Sequence, residues 1–485
     1  MTLQDYYRQY NTRDIYPFHM PGHKRNTELC QLDNPYSIDY TEIDDLDDLH
    51  EATAHFGRDS ILSNSMQRAS ALFGSKCSFF LVNGSSGGLV SSILGLTRRG
   101  DRVLIPRNTH KSIYNALSLA GVRPVYVYPS LDEATGVYAG VRPIDVERAF
   151  RRYPDIKLVL VVSPTFDGVV SKIHTISKIV HDNDAILVVD EAHGPHLGLS
   201  PYFPDSAVHR GADVVVQSLH KTLPVLTQTS ILHVCSDRVD PEDLSRTLAI
   251  IESTSPSYVL MASADQCIDL LERRGEELFL VYHERLCAFS ESMKQLKHLK
   301  VLCKGNDTVE DHPNIPYFDQ GKILISTRGT NMTGLQLYKT LLKDYRCQME
   351  MCLSDVVLAM TSIADTQEGF DRLRDALLSI DATLGDAEII QPLILKHETI
   401  SYPALTPAEA MKLAGEFIPV EDSIGRIARE FVYAYPPGIP YIVPGEMIEA
   451  DTLETMRRLE STGIRLIGTR HRYPDAIEVC LLKNR

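Results

Sequence analysis

Short apolar runs alternate with longer amphipathic stretches from about residue 55 onward. Polar or turn residues bound the runs, and several runs are apolar throughout, as is typical of strands that are covered on both faces. The stretches between them suit crossover helices. This alternation predicts a mostly parallel sheet in an α/β domain. The predicted strands are Cys77–Val82, Val103–Ile105, Pro124–Tyr128, Leu158–Val162, Ile186–Val189, Val214–Val216 and Ser230–Val234.

The pattern differs on either side of this region. Residues 1–45 are rich in Tyr, Asn, Asp and Pro and lack sustained periodicity, so we expect an irregular N-terminal arm. A helical stretch from about Tyr258 to Lys297 precedes a predicted smaller α+β domain. Its predicted elements are strands at Lys322–Ser326 and Val356–Thr361 and helices at about Thr333–Asp344 and Gln367–Leu384.

A third segment follows, with helices predicted near Pro407–Glu416 and Ile424–Val432 and a stretch dense in Pro and Gly. The predicted division of the chain is therefore an arm at 1–45, a large domain at 46–298, a small α+β domain at 299–388 and a C-terminal domain at 389–485.

Composition excludes some classes of protein. The 485 residues include 49 Lys and Arg against 64 Asp and Glu, a formal net charge of −15. A protein that binds a nucleic acid duplex needs a basic face to neutralise phosphates, so this balance argues against a nucleic-acid partner. The negative charge suits a cationic small-molecule substrate, and it equally serves solubility.

The cysteines and the apolar runs bear on the compartment. There are 9 Cys and no C-x-x-C pair, which favours reduced thiols over a disulfide framework or a zinc site. The N-terminus lacks the apolar region of a signal peptide, and no run approaches the roughly 18–20 residues that cross a bilayer. We expect a soluble, cytoplasmic protein with no membrane partner.

Three polar groups follow successive predicted strands, at the edge of the sheet where ligands bind in α/β domains. Asp190 closes one strand, Lys221 follows the next, and the turn Val82–Gly88 joins a strand to a helix. Each group has an ordinary explanation by itself. Asp190 could bind a metal or cap a helix, Lys221 could be a solvated loop residue, and Gly/Ser turns open many helices. The turn is neither a P-loop nor a G-x-G-x-x-G motif.

Together the three groups match one cofactor. A lysine amine can hold an aldehyde as a Schiff base. A buried carboxylate can keep a pyridine nitrogen protonated, and a helix N-terminus can bind a phosphate. An Asp–pyridinium pair at 4 Å is worth about 4 kcal/mol at an effective dielectric of 20, or nearly three pK units. The sequence therefore predicts pyridoxal 5'-phosphate.

A metal ion is not expected. His19 and His23 have the i, i+4 spacing of helical ligands, but Pro21 and Gly22 lie between them and break a helix. His193 and His196 flank Pro195 and fail for the same reason. His23 and Lys24 are expected to line a subunit interface.

With these motifs in view, the sequence resembles the ornithine/lysine/arginine decarboxylases of the aspartate-aminotransferase fold, also called pyridoxal-phosphate fold type I. It is most similar to the short bacterial branch that lacks a wing domain, and the resemblance extends over essentially the whole chain. The motifs that carry it are Met20–Lys24, Val82–Gly87, Arg107–Ser112, Asp190–His193, Ser218–Lys221, Ser253–Pro256 and Tyr435–Glu446.

The resemblance implies a role for each matching residue. Lys221 is implied to link covalently to the cofactor and Asp190 to pair with its pyridine nitrogen. His110 is implied to stack on one face of the ring, with Ala192 on the other. The remaining implied cofactor-binding residues are Ser85, Ser86, Gly87, His193, Ser218 and His220.

The resemblance also implies an assembly. Thr254 and Ser255 are expected to reach the phosphate region of a neighbouring subunit's site, so the working unit is expected to be at least a homodimer with shared active sites. There is no room for a wing domain before residue 40, so neither decamers nor nucleotide regulation is expected.

The absence of an arginine favours decarboxylation over amino transfer. Aminotransferases of this fold typically bind the substrate carboxylate with an Arg after the last strand of the small domain, and 356–365 contains no Arg. A carboxylate without a salt bridge in an apolar pocket favours loss of its charge as carbon dioxide. His110 either supplies the proton to the α-carbon or is a packed ring without a proton role.

Two acidic features are candidates for recognising a cationic substrate. Glu446 is the first candidate to bind the far end of a long basic side chain; alternatively, it caps the following helix. The acidic run Glu42–Asp48 either attracts a polyamine precursor or is a solvated face.

The sequence thus predicts decarboxylation of a basic L-amino acid that feeds polyamine biosynthesis. Arginine to agmatine is favoured, followed by lysine to cadaverine and ornithine to putrescine. An aminotransferase or carbon–sulfur lyase of the same fold is the alternative. A non-catalytic cofactor-binding protein is a third possibility, against which Lys221 and Asp190 argue.

Overall fold

A computed structural model describes most of the chain. The described residues are 2, 5–6, 9–10, 12–30, 61–130, 132, 137–302, 315–352, 355–387, 400–401, 403–434, 439–461 and 464–482. The acidic run Glu42–Asp48 and residues 435–438 of the Pro-rich motif lie outside them.

The strands and helices are numbered along the chain. The strands are β1 (Tyr16–Phe18), β2 (Cys77–Leu81), β3 (Arg102–Pro106), β4 (Arg123–Val127), β5 (Ile156–Val162), β6 (Val169–Val170), β7 (Ile186–Asp190), β8 (Val214–Gln217), β9 (Ser230–Val234), β10 (Lys300–Leu302), β11 (Tyr317–Phe318), β12 (Lys322–Ser326), β13 (Cys347–Met349), β14 (Met351–Cys352), β15 (Val356–Met360), β16 (Ile400–Ser401), β17 (Gly415–Pro419), β18 (Val432–Ala434), β19 (Ile439–Ile442), β20 (Leu466–Gly468) and β21 (Ala476–Cys480). The helices are α1 (Thr27–Cys30), α2 (Ile61–Phe73), α3 (Gly84–Leu96), α4 (Lys111–Ala120), α5 (Pro143–Arg152), α6 (Ile173–Asp182), α7 (Leu219–Thr222), α8 (Pro241–Ile251), α9 (Tyr258–Met293), α10 (Gly334–Tyr345), α11 (Gln367–Asp381), α12 (Pro407–Lys412) and α13 (Ala450–Ser461).

The central sheet contains all seven strands that the sequence predicts for it. Its order is β16-β4-β3-β5-β7-β8-β9-β2 over the described residues. The pairs from β4 to β8 are parallel, whereas β8–β9, β9–β2 and β16–β4 are antiparallel. The carboxyl ends of β5, β7 and β8 therefore lie at one edge.

Helices cover both faces of this sheet, which explains the apolar strands. On one face, Val188 of β7 packs in a core with residues of α3, α4 and α8. On the other face, Leu187 and Val189 pack in a core with residues of α5 and α6. Because neighbouring strand residues point to opposite faces, burial of both faces requires a run without polar interruptions.

A second sheet follows the long helix α9. Its order is β10-β12-β15-β14, and its pairs are antiparallel. One core contains residues of α9, such as Phe279, together with Ile323 of this sheet and Leu219 and Leu223 beside Lys221. Shared packing thus connects the second sheet to the loop that carries Lys221. The N-terminal strand β1 pairs with β13 and joins the same region.

The C-terminal region is built from short strands around α13. β17 pairs with β21, and β18 pairs with β19 and β20. The helix predicted at Ile424–Val432 is wrong. Ile427 forms a bridge with Met447, Ala428 forms one with Val479, and Gly425 has a left-handed φ of +78°. Pairing with distant segments therefore outweighs the short helical pattern.

Other helix predictions hold with small shifts of their ends. The prediction at Pro407–Glu416 is correct only for its first part, since α12 ends at Lys412 and Glu416 lies in β17. Among the described helices, none combines the length and the apolar composition needed to cross a membrane.

Candidate active site

Asp190 ends β7 in the middle of the central sheet. It is 4% exposed, and its Oδ1 accepts a hydrogen bond from the backbone N–H of Ala192 at 3.1 Å. Burial raises the pKa of Asp190, because a carboxylate is disfavoured away from water, and the nearby Lys221 opposes this shift. A buried carboxyl at a strand end is thus placed to pair with a cation.

Lys221 lies in the short helix α7, directly after β8. Burial lowers the pKa of its amine, and the charges of Asp190 and Glu350 act in the opposite direction. Because β7 and β8 are parallel neighbours, Asp190 at the end of β7 and Lys221 after β8 lie at the same edge of the sheet. Lys221 Nζ also lies 2.9 Å from His193 Nε2.

The start of α3 forms a cradle of small residues. Gly84 has a left-handed φ of +71°, and a Cβ at Gly88 would lie 2.5 Å from Leu81 Cδ1, so glycine lets the helix approach β2 closely. Ser218 Oγ donates to Ser85 Oγ at 2.8 Å. This bond joins the helix N-terminus to the loop of Lys221, and the N-terminus of a 13-residue helix attracts anions.

The rest of the predicted phosphate group lies on the same two segments. Ser86 and Gly87 continue the first turn of α3, where Ser86 is exposed and Gly87 is buried. His220 precedes Lys221, and its Nδ1 lies 2.9 Å from the carbonyl oxygen of Thr229. Burial lowers the pKa of His220 to about 4, so its ring is neutral at pH 7.

His110 caps the N-terminus of α4. Its Nδ1 accepts from the backbone N–H of Ser112 at 3.3 Å, which leaves the proton of the neutral ring on Nε2. The surrounding protein and Lys221 lower the pKa of His110 to about 4, although the ring stays accessible to solvent. An exposed neutral ring can stack on a ligand, whereas an imidazolium acid is disfavoured.

His193 connects two lysines, one of which the sequence analysis missed. Lys322 Nζ lies 3.1 Å from His193 Nδ1, opposite the contact with Lys221. Lys322 begins β12 in the second sheet and is 1% exposed. A lysine at the start of a predicted strand that is otherwise mostly apolar was the available signal. The neighbouring Ala192 is buried beside Asp190.

A second histidine forms a similar bridge. His196 Nε2 lies 3.0 Å from Asp319 Oδ1, and its Nδ1 lies 2.9 Å from Thr222 Oγ1. Burial alone would raise the pKa of Asp319, but His196 and Lys322 lower it, so the carboxylate is charged. The segment 319–322, which leads into β12, therefore supplies partners for both His193 and His196.

Glu191 belongs to a buried network beneath the site. It accepts hydrogen bonds from Ser206 Oγ at 2.6 Å, Gln217 Nε2 at 2.7 Å and the backbone N–H of Ala207 at 2.8 Å. Gln217 Oε1 in turn lies 3.2 Å from His233 Nε2. The network connects the ends of β7, β8 and β9. It gives Glu191, the acid that follows Asp190, a structural role.

The Met20–Lys24 motif packs against the loop of Lys221. The backbone N–H of Gly22 donates to His220 O at 2.7 Å, and a Cβ at Gly22 would lie 2.6 Å from Leu223 O. The subunit-interface prediction is wrong for Lys24. Its amine is buried within its own chain, where it donates to the carbonyl oxygens of His19 at 2.9 Å and Met360 at 2.7 Å.

Glu446 is paired within the chain. Arg107 Nε donates to Glu446 Oε1 at 2.9 Å, and Arg107 Nη2 donates to Oε2 at 2.7 Å. The side chains are 10% and 17% exposed. The bidentate pair ties the C-terminal region to the end of β3, a contact that the sequence analysis did not foresee. α13 begins only at Ala450.

Thr254 and Ser255 lie in the loop between α8 and α9, and both are exposed. No group of three or more His, Cys, Asp or Glu side chains among the described residues is arranged to hold a metal ion.

The donor set fits pyridoxal 5'-phosphate. An amine with a lowered pKa, a buried carboxyl without a basic side chain bonded to it in the described structure, and a serine-lined helix N-terminus correspond to its aldehyde, its ring nitrogen and its phosphate. The accessible ring of His110 adds a surface for stacking. Lys221, Asp190, Ser85 and Ser218 are therefore the residues that can hold it.

Comparisons with known proteins agree with this geometry. A family model described as Orn/Lys/Arg decarboxylase, major domain, matches residues 2–326, and one for the C-terminal domain of the same family matches residues 393–467. The chain is 32% identical over 472 residues to an arginine decarboxylase of Bacillus subtilis, covering 95% of this chain and 94% of the relative.

Solved structures show the same fold. The constitutive lysine decarboxylase of Escherichia coli superposes with a TM-score of 0.72 at 20% identity, covering 87% of this chain and 73% of that chain. A ureidoglycine–glyoxylate aminotransferase of Bacillus subtilis gives a TM-score of 0.53 at 13% identity, covering 71% and 90%. The fold is thus the one shared by lysine decarboxylases and fold type I aminotransferases, as the sequence predicts.

Proposed function

The chain belongs to the Orn/Lys/Arg decarboxylase family and is an amino acid decarboxylase, and we propose that it decarboxylates a basic L-amino acid with pyridoxal 5'-phosphate. Arginine to agmatine is the favoured reaction, with lysine and then ornithine next. The observation that carries the proposal is the meeting of Lys221, Asp190 and the α3 N-terminus at one edge of the sheet. The arginine decarboxylase of Bacillus subtilis supports the choice of arginine.

The residues that would hold the cofactor follow from this arrangement. Lys221 would bind its aldehyde, Asp190 would face its ring nitrogen, and Ser85 and Ser218 would bind its phosphate. When bound, pyridoxal 5'-phosphate supplies an electron sink for the electron pair that remains on the α-carbon after carbon dioxide leaves.

The charge states of the protein groups suit that task. Asp190, whose pKa burial raises, gains a reason to ionise when a basic nitrogen is brought beside it. His110 is neutral at pH 7 and offers a ring face rather than an acidic proton. Lys221, whose pKa burial lowers, is closer to its free amine than a solvated lysine is.

Support for decarboxylation comes from the end of β15. The stretch 356–365 carries no Arg, and two cations beside it are already bonded to backbone carbonyl oxygens. Lys24 donates to those of His19 and Met360, and Arg285 donates to that of Asp365. Burial also lowers the pKa of Lys24. A substrate carboxylate that meets weak charge compensation is easier to lose as carbon dioxide than one held by a guanidinium.

Glu446 stays the proposed contact for the basic end of the substrate. A carboxylate can accept about four hydrogen bonds, and Glu446 accepts two from Arg107. A substrate guanidinium would therefore share Glu446 with Arg107.

We also propose a homodimer in the cytoplasm. The exposed loop that carries Thr254 and Ser255 would contribute these residues to the neighbouring subunit's site. An exposed loop of hydroxyl residues before α9 is compatible with that contact. To test it, Thr254→Ala and Lys221→Ala subunits are mixed, their assembly is measured by sedimentation, and the mixture is assayed for restored activity.

A product assay tests the proposed reaction. The protein is incubated with pyridoxal 5'-phosphate and with L-arginine, L-lysine or L-ornithine, and carbon dioxide and the released amine are measured. We expect carbon dioxide and agmatine from arginine at the highest rate, and none with the Lys221→Ala variant. Amino transfer to 2-oxoglutarate without carbon dioxide would overturn the proposal in favour of an aminotransferase.

A further inference from the structure

His193 lies between the amines of two lysines. Lys221 Nζ is 2.9 Å from its Nε2, and Lys322 Nζ is 3.1 Å from its Nδ1. A neutral imidazole has one N–H donor and one nitrogen acceptor, whereas an ammonium group only donates. Two ammonium groups therefore cannot both hydrogen-bond to His193. The geometry requires at least one of the two amines to be uncharged.

Each amine faces Glu350 and one aspartate. The aspartate beside Lys322 is the more strongly ionised of the two, because the pKa of Asp319 is lowered whereas that of Asp190 is raised. Asp319 precedes Lys322 by three residues, and Asp319 Oδ2 is buried without a hydrogen-bond partner among the described residues. The charges of Asp319 and Glu350 favour the ammonium form of Lys322 against its burial, which lowers its pKa to about 8. Lys322 is therefore mainly charged at pH 7.

Other groups face the two amines from several elements. Asp167, in the turn between β5 and β6, adds little charge because burial raises its pKa to about 8. Lys221 and Lys24 oppose the charge of Lys322. The groups that face Lys221 are Asp190 from β7, Glu350 from the turn between β13 and β14, His193, His110 from the start of α4, and Lys322.

The fold holds Lys322 in place. Its residue begins β12 and pairs with Met360 of β15. Gly168 has a φ of +106°, and a Cβ there would lie 2.9 Å from the Cβ and Cγ of Lys322. The absence of a side chain at Gly168 thus makes room for the stem of Lys322, which is buried and closely packed.

We propose that Lys322 is a positioning residue that acts through His193 to keep the Lys221 amine uncharged. The Lys322 ammonium donates to His193 Nδ1, so the neutral ring carries its proton on Nε2 and donates it to Lys221. A free amine can add to an aldehyde: a carbon–nitrogen bond forms, and the carbonyl oxygen leaves as water with the two amine protons. The inference rests on the proposed function, which gives Lys221 an aldehyde to bind.

Nitrogen NMR tests the proton position directly. The full chain is labelled with ¹⁵N-histidine and freed of bound aldehyde, and the His193 signals are assigned by their absence in His193→Asn. We expect the tautomer with the proton on Nε2 at pH 7. A proton on Nδ1, or an imidazolium, would overturn the proposal, because Lys322 could then not donate to Nδ1.

Competitive acylation of the same aldehyde-free chain measures the charge of Lys221. In Lys322→Met we expect the pH midpoint for acylation of Lys221 to rise by at least about one unit, which is about a tenfold lower rate at any pH below both midpoints. Lys322→Arg, which keeps the cation, should hold the midpoint near that of the unmodified chain. The exposed Lys111 in the same digest is the internal control and should not change.

An unchanged Lys221 midpoint in folded Lys322→Met would contradict the proposal, since a merely structural lysine would not move it. If Lys322→Met does not fold, the NMR tautomer and the Lys322→Arg midpoint decide. If the proton of His193 lies on Nδ1 and carbon dioxide release is normal, the inference is refuted and the proposed function stays intact. The expected tautomer and midpoint shift without carbon dioxide release would refute the function alone.

Discussion

The Arg107–Glu446 pair is the most informative place to perturb the structure. Replacing Glu446 by Gln keeps the shape of the side chain and removes its charge. Arg107 would keep its hydrogen bonds to the carbonyl oxygens of Pro440 at 2.6 Å and Tyr441 at 3.2 Å. Its guanidinium would nevertheless stay largely buried without a counterion, because its side chain is 10% exposed.

The expected cost follows from that burial. Removing one partner of a buried ion pair typically costs about 3–5 kcal/mol, because the remaining charge is left uncompensated. The pair Arg426–Glu416 is a matched control in the same region, joined at 2.6 Å with side chains 39% and 40% exposed. Glu416→Gln should cost less than about 1 kcal/mol, as is usual for surface pairs.

Hydrogen exchange is the suitable assay, because it reports local opening in a chain too large for one two-state transition. We expect faster exchange in peptides from 403–434 and 439–461 in Glu446→Gln, and little change in Glu416→Gln. Equal exchange in the two variants would refute the interpretation that the Arg107–Glu446 pair holds the C-terminal region to the end of β3. A selective rise in KM for arginine with unchanged exchange would instead make Glu446 primarily a substrate contact.

Three further outcomes are expected. Gly22→Ala should lower the free energy of unfolding by about 1–3 kcal/mol and weaken cofactor binding, because its Cβ would lie 2.6 Å from Leu223 O. Gly385→Ala is the control, since nothing lies within 4 Å of the Cβ that it adds. Equal cofactor titrations of the two variants would contradict this prediction. Asp381→Asn should lower the free energy of unfolding by about 1–3 kcal/mol at pH 7. In the folded protein, burial alone would raise the pKa of Asp381, but hydrogen bonds from three backbone N–H groups lower it. That stability is present above the unfolded pKa and lost as the pH falls through the folded pKa, so the urea midpoints of the two proteins should converge in acid; a constant difference would contradict it. Asp190→Ala should retain some cofactor but lose most activity, and near-normal rates would mean that Asp190 does not hold the ring nitrogen.

The central sheet was predictable because its strands are buried on both faces. Each of its seven predicted runs forms a strand, with ends shifted by at most two residues. The pattern failed at Ile424–Val432, where Ala428 N donates to Glu446 O and Gly445 N donates to Ala428 O. Such long-range pairing leaves no trace in a local periodicity.

The site was predictable only as far as it follows from strand ends. Asp190 and Lys221 come directly after neighbouring strands, so the sheet brings them together. Lys322 and Asp319 come from the second sheet, and no local pattern shows that they reach His193 and His196. Their contribution depends on how α9 and the second sheet pack against the loop of Lys221.

The most direct test of the account is the position of the covalent link to pyridoxal 5'-phosphate. The cofactor-loaded protein is reduced with borohydride, digested and analysed by mass spectrometry, with Lys221→Ala treated in parallel. The account predicts the phosphopyridoxyl group on Lys221 and no reducible visible band in the variant. A label on another lysine, or a band of equal intensity in Lys221→Ala, would contradict it.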